Sequence, residues 1–212
     1  MASSAIISQL TTFQIGTGTG GAKTITGITQ ANPCVVTSTA HGLSRGDVVT
    51  FSSIAGMTQL NAQTAIVQYT TVNTLVLANV DSTGYTAYTS GGSATPQTFT
   101  AIANIKSFSG FDGAAADIET SNLMSTAKEY LVGLQDMGSM TLELDLDTTD
   151  LGQQALLTAQ TSQAKKSFKL TLPNNAVASF SGFSKKVGTA GGVDQAIKRS
   201  VEIKITGAVT WS

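Results

Sequence analysis

Charge is scarce in this chain. Only 12% of its 212 residues are Asp, Glu, Lys or Arg, against about a quarter in an ordinary globular protein, and the net charge is −1. Whole-chain electrostatics therefore supply no footprint for wrapping nucleic acid or docking on anionic lipid. Cys34 is the single cysteine, which excludes an intrachain disulfide and implies no secretory staple. His41 is the single histidine and has no companions for metal binding or acid–base work. No stretch approaches the roughly 18 apolar residues of a membrane-spanning helix. The opening MASSAIISQL lacks basic residues and a long apolar core, so no signal peptide is expected, and the chain reads as soluble and cytosolically made.

What the chain has in quantity is alternation. In TLELDLDT, Leu142, Leu144 and Leu146 share one strand face, and Glu143, Asp145 and Asp147 share the other. SFKLTL sets Phe168, Leu170 and Leu172 against Lys169 and Thr171, and SVEIKIT sets Val201, Ile203 and Ile205 against Glu202, Lys204 and Thr206. One stretch changes period: in TTDLGQQALLTAQTSQ, Leu151, Ala155, Leu156 and Ala159 recur at helical spacing, with Thr149 or Asp150 placed to cap. A lone helix among antiparallel strands must lie across one face or end of the sheet to bury its stripe. The fold class expected is all-β with one flanking α-helix.

Charge is also unevenly spread. Between 25 and 95 the charged residues are Arg45, Asp47 and Asp81 alone, while nearly all others fall between 96 and 212. This predicts two folding units, a discontinuous one at 1–24 and 96–212 and a small β domain at 25–95. The glycine-rich flanks GTGTGGA (16–22) and SGGSATP (90–96) read as flexible linkers. Inside the small unit, short strand runs alternate with turn signals, as expected of a small β-barrel or sandwich. Gly42 and Gly46 can take positive φ in a turn, and Asp47 can bond its local backbone.

Catalytic and ligand signals are weak. GTGTGGAKT imitates a phosphate-binding loop, but Ala22 stands where lysine is required and the following TITGIT is β-like, so no helix N-terminus follows. Cys34 has no basic neighbour and reads as an inert buried thiol. Glu143, Asp145 and Asp147 spread along roughly 13 Å of strand, too far to converge on one ion. They form either a solvated sheet face or an acidic wall. Lys165, Lys166, Lys169, Lys185, Lys186, Lys198 and Arg199 form small basic clusters suited to soluble edges or to acidic patches on another subunit, without aromatic interleaving for single-stranded nucleic acid. No catalytic residue, metal ligand or cofactor is assigned, and no enzyme is expected.

The order KEYLVGLQDMGSMTLELDLD, one helix after TTD, FKLTLPNN, FSGFSKKV and a closing EIKITGAV resembles the major tail-tube proteins of long-tailed (siphovirus-type) bacteriophages, over residues 1 to about 24 and 96–212. The resemblance implies a β-sandwich or barrel tail-tube core, hexameric rings stacked into a hollow tube in the virion tail, assembly in the host bacterial cytoplasm, and genome passage to the host. It implies self-association, tape-measure and tail terminator or tip proteins as partners, and double-stranded DNA that passes without specific binding. A conduit should not hold its polyanionic cargo, so Glu143, Asp145 and Asp147 are the expected lumen-facing acids. Asp117, Glu119, Lys185 and Lys186 are the expected inter-subunit or inter-ring contacts, with the N-terminal arm and the 112–126 loop reaching neighbours. Segments 40–61 and 81–92 resemble small β modules inserted in phage virion proteins, which implies a domain on the tube exterior, either as decoration or in weak contact with host-surface glycans. The rival reading is a carbohydrate-binding or adhesin module, for which Tyr69, Tyr85 and Tyr88 are the clustered aromatics.

Overall fold

A computed structural model of the chain describes residues 6–211. The elements run β1 (Thr12–Thr19), β2 (Lys23–Thr24), β3 (Gly27–Ile28), β4 (Val35–Thr37), β5 (Val48–Ala55), a 3-10 turn (Thr58–Leu60), β6 (Thr64–Thr70) and β7 (Thr74–Leu77). There follow β8 (Ser90–Ala101), β9 (Ile105–Gly110), β10 (Ala115–Glu119), β11 (Tyr130–Gln135), β12 (Ser139–Asp145) and α1 (Leu151–Ser162). The chain ends in β13 (Lys166–Thr171), β14 (Val177–Ala190) and β15 (Lys198–Trp211). The fold is mostly β with one helix, as the alternation predicts. Its described residues separate into two compact units, one of 6–102, 166–180 and 209–211, the other of 103–165 and 181–208.

In the first unit the strand order is β3-β4-β7-β6-β5-β8-β1-β13. The segment 23–28 turns part of this path into a ring. Lys23 and Thr24 pair with Ala94 and Ser93 of β8, and Ile25 N–H donates to Gly92 O at 3.0 Å. Two residues later Gly27 and Ile28 pair with Thr37 and Val36 of β4. Strands β4, β7, β6, β5 and β8 are thus joined end to end by one bridging segment, a small barrel with its core inside. That core is Ile25, Cys34, Val36, Val49, Phe51, Ile54, Met57, Leu60, Ala65, Val67, Leu75, Leu77 and Ala94, all between 25 and 94. The 40–47 turn is formed as expected: Gly42 and Gly46 have φ of 65° and 81°, and Asp47 Oδ2 accepts from Ser44 N–H at 2.8 Å.

Of the two glycine-rich stretches expected to be linkers, 90–96 is strand throughout and 16–22 is strand as far as Thr19. Residues 16–19 belong to β1 and 90–96 to β8, and β1 pairs with β8 through Gly16↔Phe99, Gly18↔Thr98 and Thr19↔Gln97. Gly16 and Gly18 serve close approach rather than flexibility. A Cβ on Gly16 would meet Gln97 and the Ser167 carbonyl at 3.3 Å, and one on Gly18 would meet Thr98 Oγ1 at 3.0 Å. Strand β8 is the shared member, pairing with β5 through residues 90–96 and with β1 through 97–101. Beyond β1 lies a second apolar cluster, where Phe168 stacks on both Phe13 and Phe180 and the three ring centroids lie 5.5–6.1 Å apart.

The second unit carries the sheet β14-β15-β12-β9, the two-stranded β10-β11 ribbon, and α1. The alternation of the two outer sequences is borne out. Met140, Leu142 and Leu144 of β12 and Val201, Ile203 and Ile205 of β15 are buried, and Glu143 and Glu202 are exposed. Asp150 is the N-cap of α1, with Oδ1 accepting from Gln153 N–H at 2.8 Å. The buried stripe of α1 differs from the expected one. Gly152, Gln153, Leu156 and Ala159 are buried, while Leu151, the first residue after the cap, is 67% exposed. Gln153 takes its place as a buried polar bolt. Its Nε2 donates to Asp145 O at 2.9 Å and Ala103 O at 3.4 Å, and its Oε1 accepts from Asp147 N–H at 3.1 Å.

Candidate functional site

The polar face of β12 is where sequence placed either a solvated sheet face or an acidic wall. Glu143 sits on it, flanked across the ladder by Ser200 of β15 and Ser107 of β9. Asp145 lies at the strand's end, opposite Lys198, and its Oδ2 is 2.9 Å from Lys106 Nζ, so its charge is matched. Asp147 does not belong to the face. The strand ends at Asp145 because Gln153 takes up the backbone beyond it, and Asp147 Oδ1 turns to accept from Thr149 N–H at 2.9 Å and Oγ1 at 2.7 Å. Those bonds, the hydroxyl's first, hold its carboxyl below the ordinary value. The acid that strand pairing does bring to this face is Glu202, opposite Thr141 and one step from Glu143. The sequence read Glu202 on its own strand; only register shows it beside β12.

The ribbon collects exposed apolar surface. Its register is Asp117↔Val132, Ile118↔Leu131 and Glu119↔Tyr130. Directly opposed residues share a face, so Asp117, Glu119, Tyr130 and Val132 project to one side and Ile118 and Leu131 to the other. Neither side is covered: Ile118, Tyr130, Leu131, Val132 and Leu134 are all at least half exposed, Val132 at 77% and Leu134 at 95%. Strand alternation with one apolar face was the sequence signal sought, and a ribbon apolar on both faces escapes it. Glu119 pairs with Lys128 at 3.4 Å, whereas Asp117 has no cationic partner among the described residues. Asp136, just after β11, receives Lys204 Nζ on both oxygens at 2.6 and 2.7 Å, and Gly138 N–H at 2.9 Å. The Lys204 bond is the main cause holding its carboxyl below the usual value.

Lys185 and Lys186 are exposed on β14. Lys185 borders a cleft of about 460 Å³ lined also by Gln160, Gln163, Phe183, Ser184 and Lys204. Ser184 is only 6% exposed and its hydroxyl has no hydrogen-bond partner among the described residues.

The residues that sequence set aside are structural. His41 is buried and its Nδ1 accepts from Leu43 N–H at 3.0 Å, which closes the turn. Cys34 is fully buried, and desolvation pushes its thiol up despite an opposing bond with Ser82. Tyr88 donates to Ile25 O and Gly91 O and packs with Tyr85 on the barrel core, leaving Tyr69 alone well exposed among the three. Three tyrosines thus make no flat platform. No group of three or more metal-ligating side chains occurs among the described residues.

Two family models match the chain. The model described as lambda phage tail tube protein matches residues 81–212, and that of the ubiquitin-activating enzyme E1 FCCH domain matches residues 30–98. No curated protein matches. Among solved structures, one similar chain is from the tail of an empty gene transfer agent particle refined with helical C6 symmetry: 15% identical, 54% of this chain and 86% of that one covered, TM-score 0.47. A second is from the virion of a native gene transfer agent particle, with 14% identity, coverage of 54% and 88%, and TM-score 0.47. A third is from the sixfold-symmetrised baseplate of an anti-feeding prophage, with 10% identity, coverage of 81% and 95%, and TM-score 0.43.

Proposed function

The chain belongs to the lambda phage tail tube protein family, and on that premise we propose that it is the repeating subunit of a hollow virion tail tube, built of stacked hexameric rings that conduct the genome into a host. The observation that carries the reading is the ribbon. A monomer that keeps Leu131, Val132 and Leu134 in water has apolar surface left over, and association with further copies removes it. Strand β9 adds a second contact of the same kind. It ends the sheet of its unit among the described residues, which leaves its outer edge for a neighbour's strand to pair with. The remaining partners are a tape-measure protein during assembly and terminator or tip proteins at the ends. Assembly takes place in the host cytoplasm.

The lumen reading follows with revised residues. Glu143 and Glu202, set among Ser107, Thr141 and Ser200, give a hydroxyl-rich face with two carboxylates that have no ion-pair partner among the described residues. Such a lining repels phosphate rather than holding it, and DNA slides without counterion release. The segment 25–95 is an inserted barrel on the outside of the tube. Its closed ladder and complete core support independent folding, and with one well-exposed tyrosine decoration is favoured over glycan capture.

Negative-stain electron microscopy of purified protein at rising concentration tests the reading. Hollow tubes with regular external knobs are expected, and deletion of 25–93 leaves smooth tubes. A chain that stays monomeric at every concentration, even with tail-tip complex added as a seed, overturns it.

A further inference from the structure

We propose that the cleft beside the C-terminal end of α1 is the seat for the β10-β11 ribbon of a second copy, with Asp117 of that copy entering it. The inference rests on the tube reading and adds which surfaces meet. Three observations on one side fit three on the other. The cleft holds a nine-tenths-buried hydroxyl, Ser184, without a partner among the described residues, and such a donor is costly unless something fills it. At its rim Lys185 has no acidic partner among the described residues, and the ring of Phe183 is 36% exposed. The ribbon presents the complements on a single face: Asp117 without a cation, directly opposite Val132, with Tyr130 one pair along. A carboxylate is the group that a serine hydroxyl and a lysine ammonium both donate to, with bonds shorter and stronger than neutral ones. Val132 and Tyr130 then cover Phe183.

Neighbouring charges sharpen the choice of residue. Glu119 shares the ribbon face but already holds Lys128, and Lys204 at the cleft already holds Asp136. Asp117 and Lys185 are the pair left over. Every copy carries both Asp117 and Lys185, so the contact can repeat head-to-tail from copy to copy, the geometry that builds rings and stacks. The small amide side chains of Gln160 and Gln163 supply further donors to the same carboxylate.

The test is a charge swap read by tube formation. Asp117→Lys and Lys185→Glu should each raise the concentration needed for tubes by about tenfold or more, and Asp117→Lys with Lys185→Glu together should restore most of it. Circular dichroism of the monomers checks that each variant folds. As an independent arm, Asp117→Cys with Lys185→Cys should give a ladder of disulfide-linked oligomers under mild oxidant, since Cys34 is buried and silent. Wild-type tubes with unaffected single variants, a double variant no better than the singles, or no ladder would sink the proposed seat while leaving the tube reading standing. Failure of the wild type to form tubes under seeding would sink both.

Discussion

The barrel at 25–94 and the ribbon at 115–135 are both small β structures of one chain, and they treat apolar surface in opposite ways. The barrel closes its ladder through 23–28 and puts thirteen hydrophobic residues inside. The ribbon has two strands, no core and no cover, and a two-stranded element is at best marginal alone in water. The difference separates a part whose folding is complete within one chain from a part whose burial is left for assembly. Breaking each should therefore be felt in different measurements. Phe51→Ala removes a fully buried ring from the barrel and should cost about 3–5 kcal/mol in denaturant unfolding of the monomer. Val132→Asp with Leu134→Asp, at exposed positions, should leave monomer stability within about 0.5 kcal/mol and abolish tubes. If the ribbon variant melted the monomer instead, the contrast would collapse.

The second break lies where α1 meets its surroundings. Gln153→Leu should destabilise by about 3 kcal/mol, since it strands the Asp145 carbonyl and the Asp147 N–H in a buried place. Hydrogen exchange of the Asp147 amide reports the change directly. Here the limits of the sequence are plain. Alternation gave the buried residues of β12 and β15, because one-sided burial imposes period two whatever the neighbours are. The cap at Asp150 was legible because only short polar side chains reach those first amides. Gln153 was not, since its worth depends on the Ala103 and Asp145 carbonyls, groups that every residue carries. The glycines at 16 and 18 misled for a related reason: composition cannot distinguish freedom from close packing. Of the candidate site, Asp117, Glu119, Lys185 and Glu143 could be picked as exposed charges, but matched and unmatched charges were separated only by the ion pairs the fold brings together.

A smaller effect should test how firmly the barrel is held within its unit. Asp47 Oδ1 accepts from Lys169 Nζ of β13 at 2.9 Å, and Lys169 also lies 4.9 Å from the ring centre of Phe99. Ser179 Oγ donates to Gly46 O at 3.1 Å beside it. The lysine side chain is only 11% exposed, so the pair is screened less than a surface bridge. Lys169→Met should cost about 2 kcal/mol, and the expected sign of a loosened barrel is faster proteolysis in the 40–47 turn with the barrel core still protected. Unchanged cleavage would mean that β8, shared between the barrel and β1, holds it alone.

The smallest effect expected is on pH, and it bears on the ribbon. Asp136 follows β11, and its contact with Lys204 ties the ribbon's exit to β15. Its carboxyl is held below its ordinary value of 3.8, chiefly by the Lys204 bond and then by Gly138 N–H. A lowered native pKa means that the unfolded or released state binds the proton more readily, so the tie gains from ionisation. Its full contribution is present above 3.8 and is lost as pH falls through the lowered native value. Amide exchange at Gly138, corrected for intrinsic rate, should then stay protected down through the usual carboxylate range and weaken only below it. Asp136→Asn should lose that dependence and show the weaker protection at every pH. A wild-type profile that bends above 3.8 would point to another acid as the one that holds the ribbon's base.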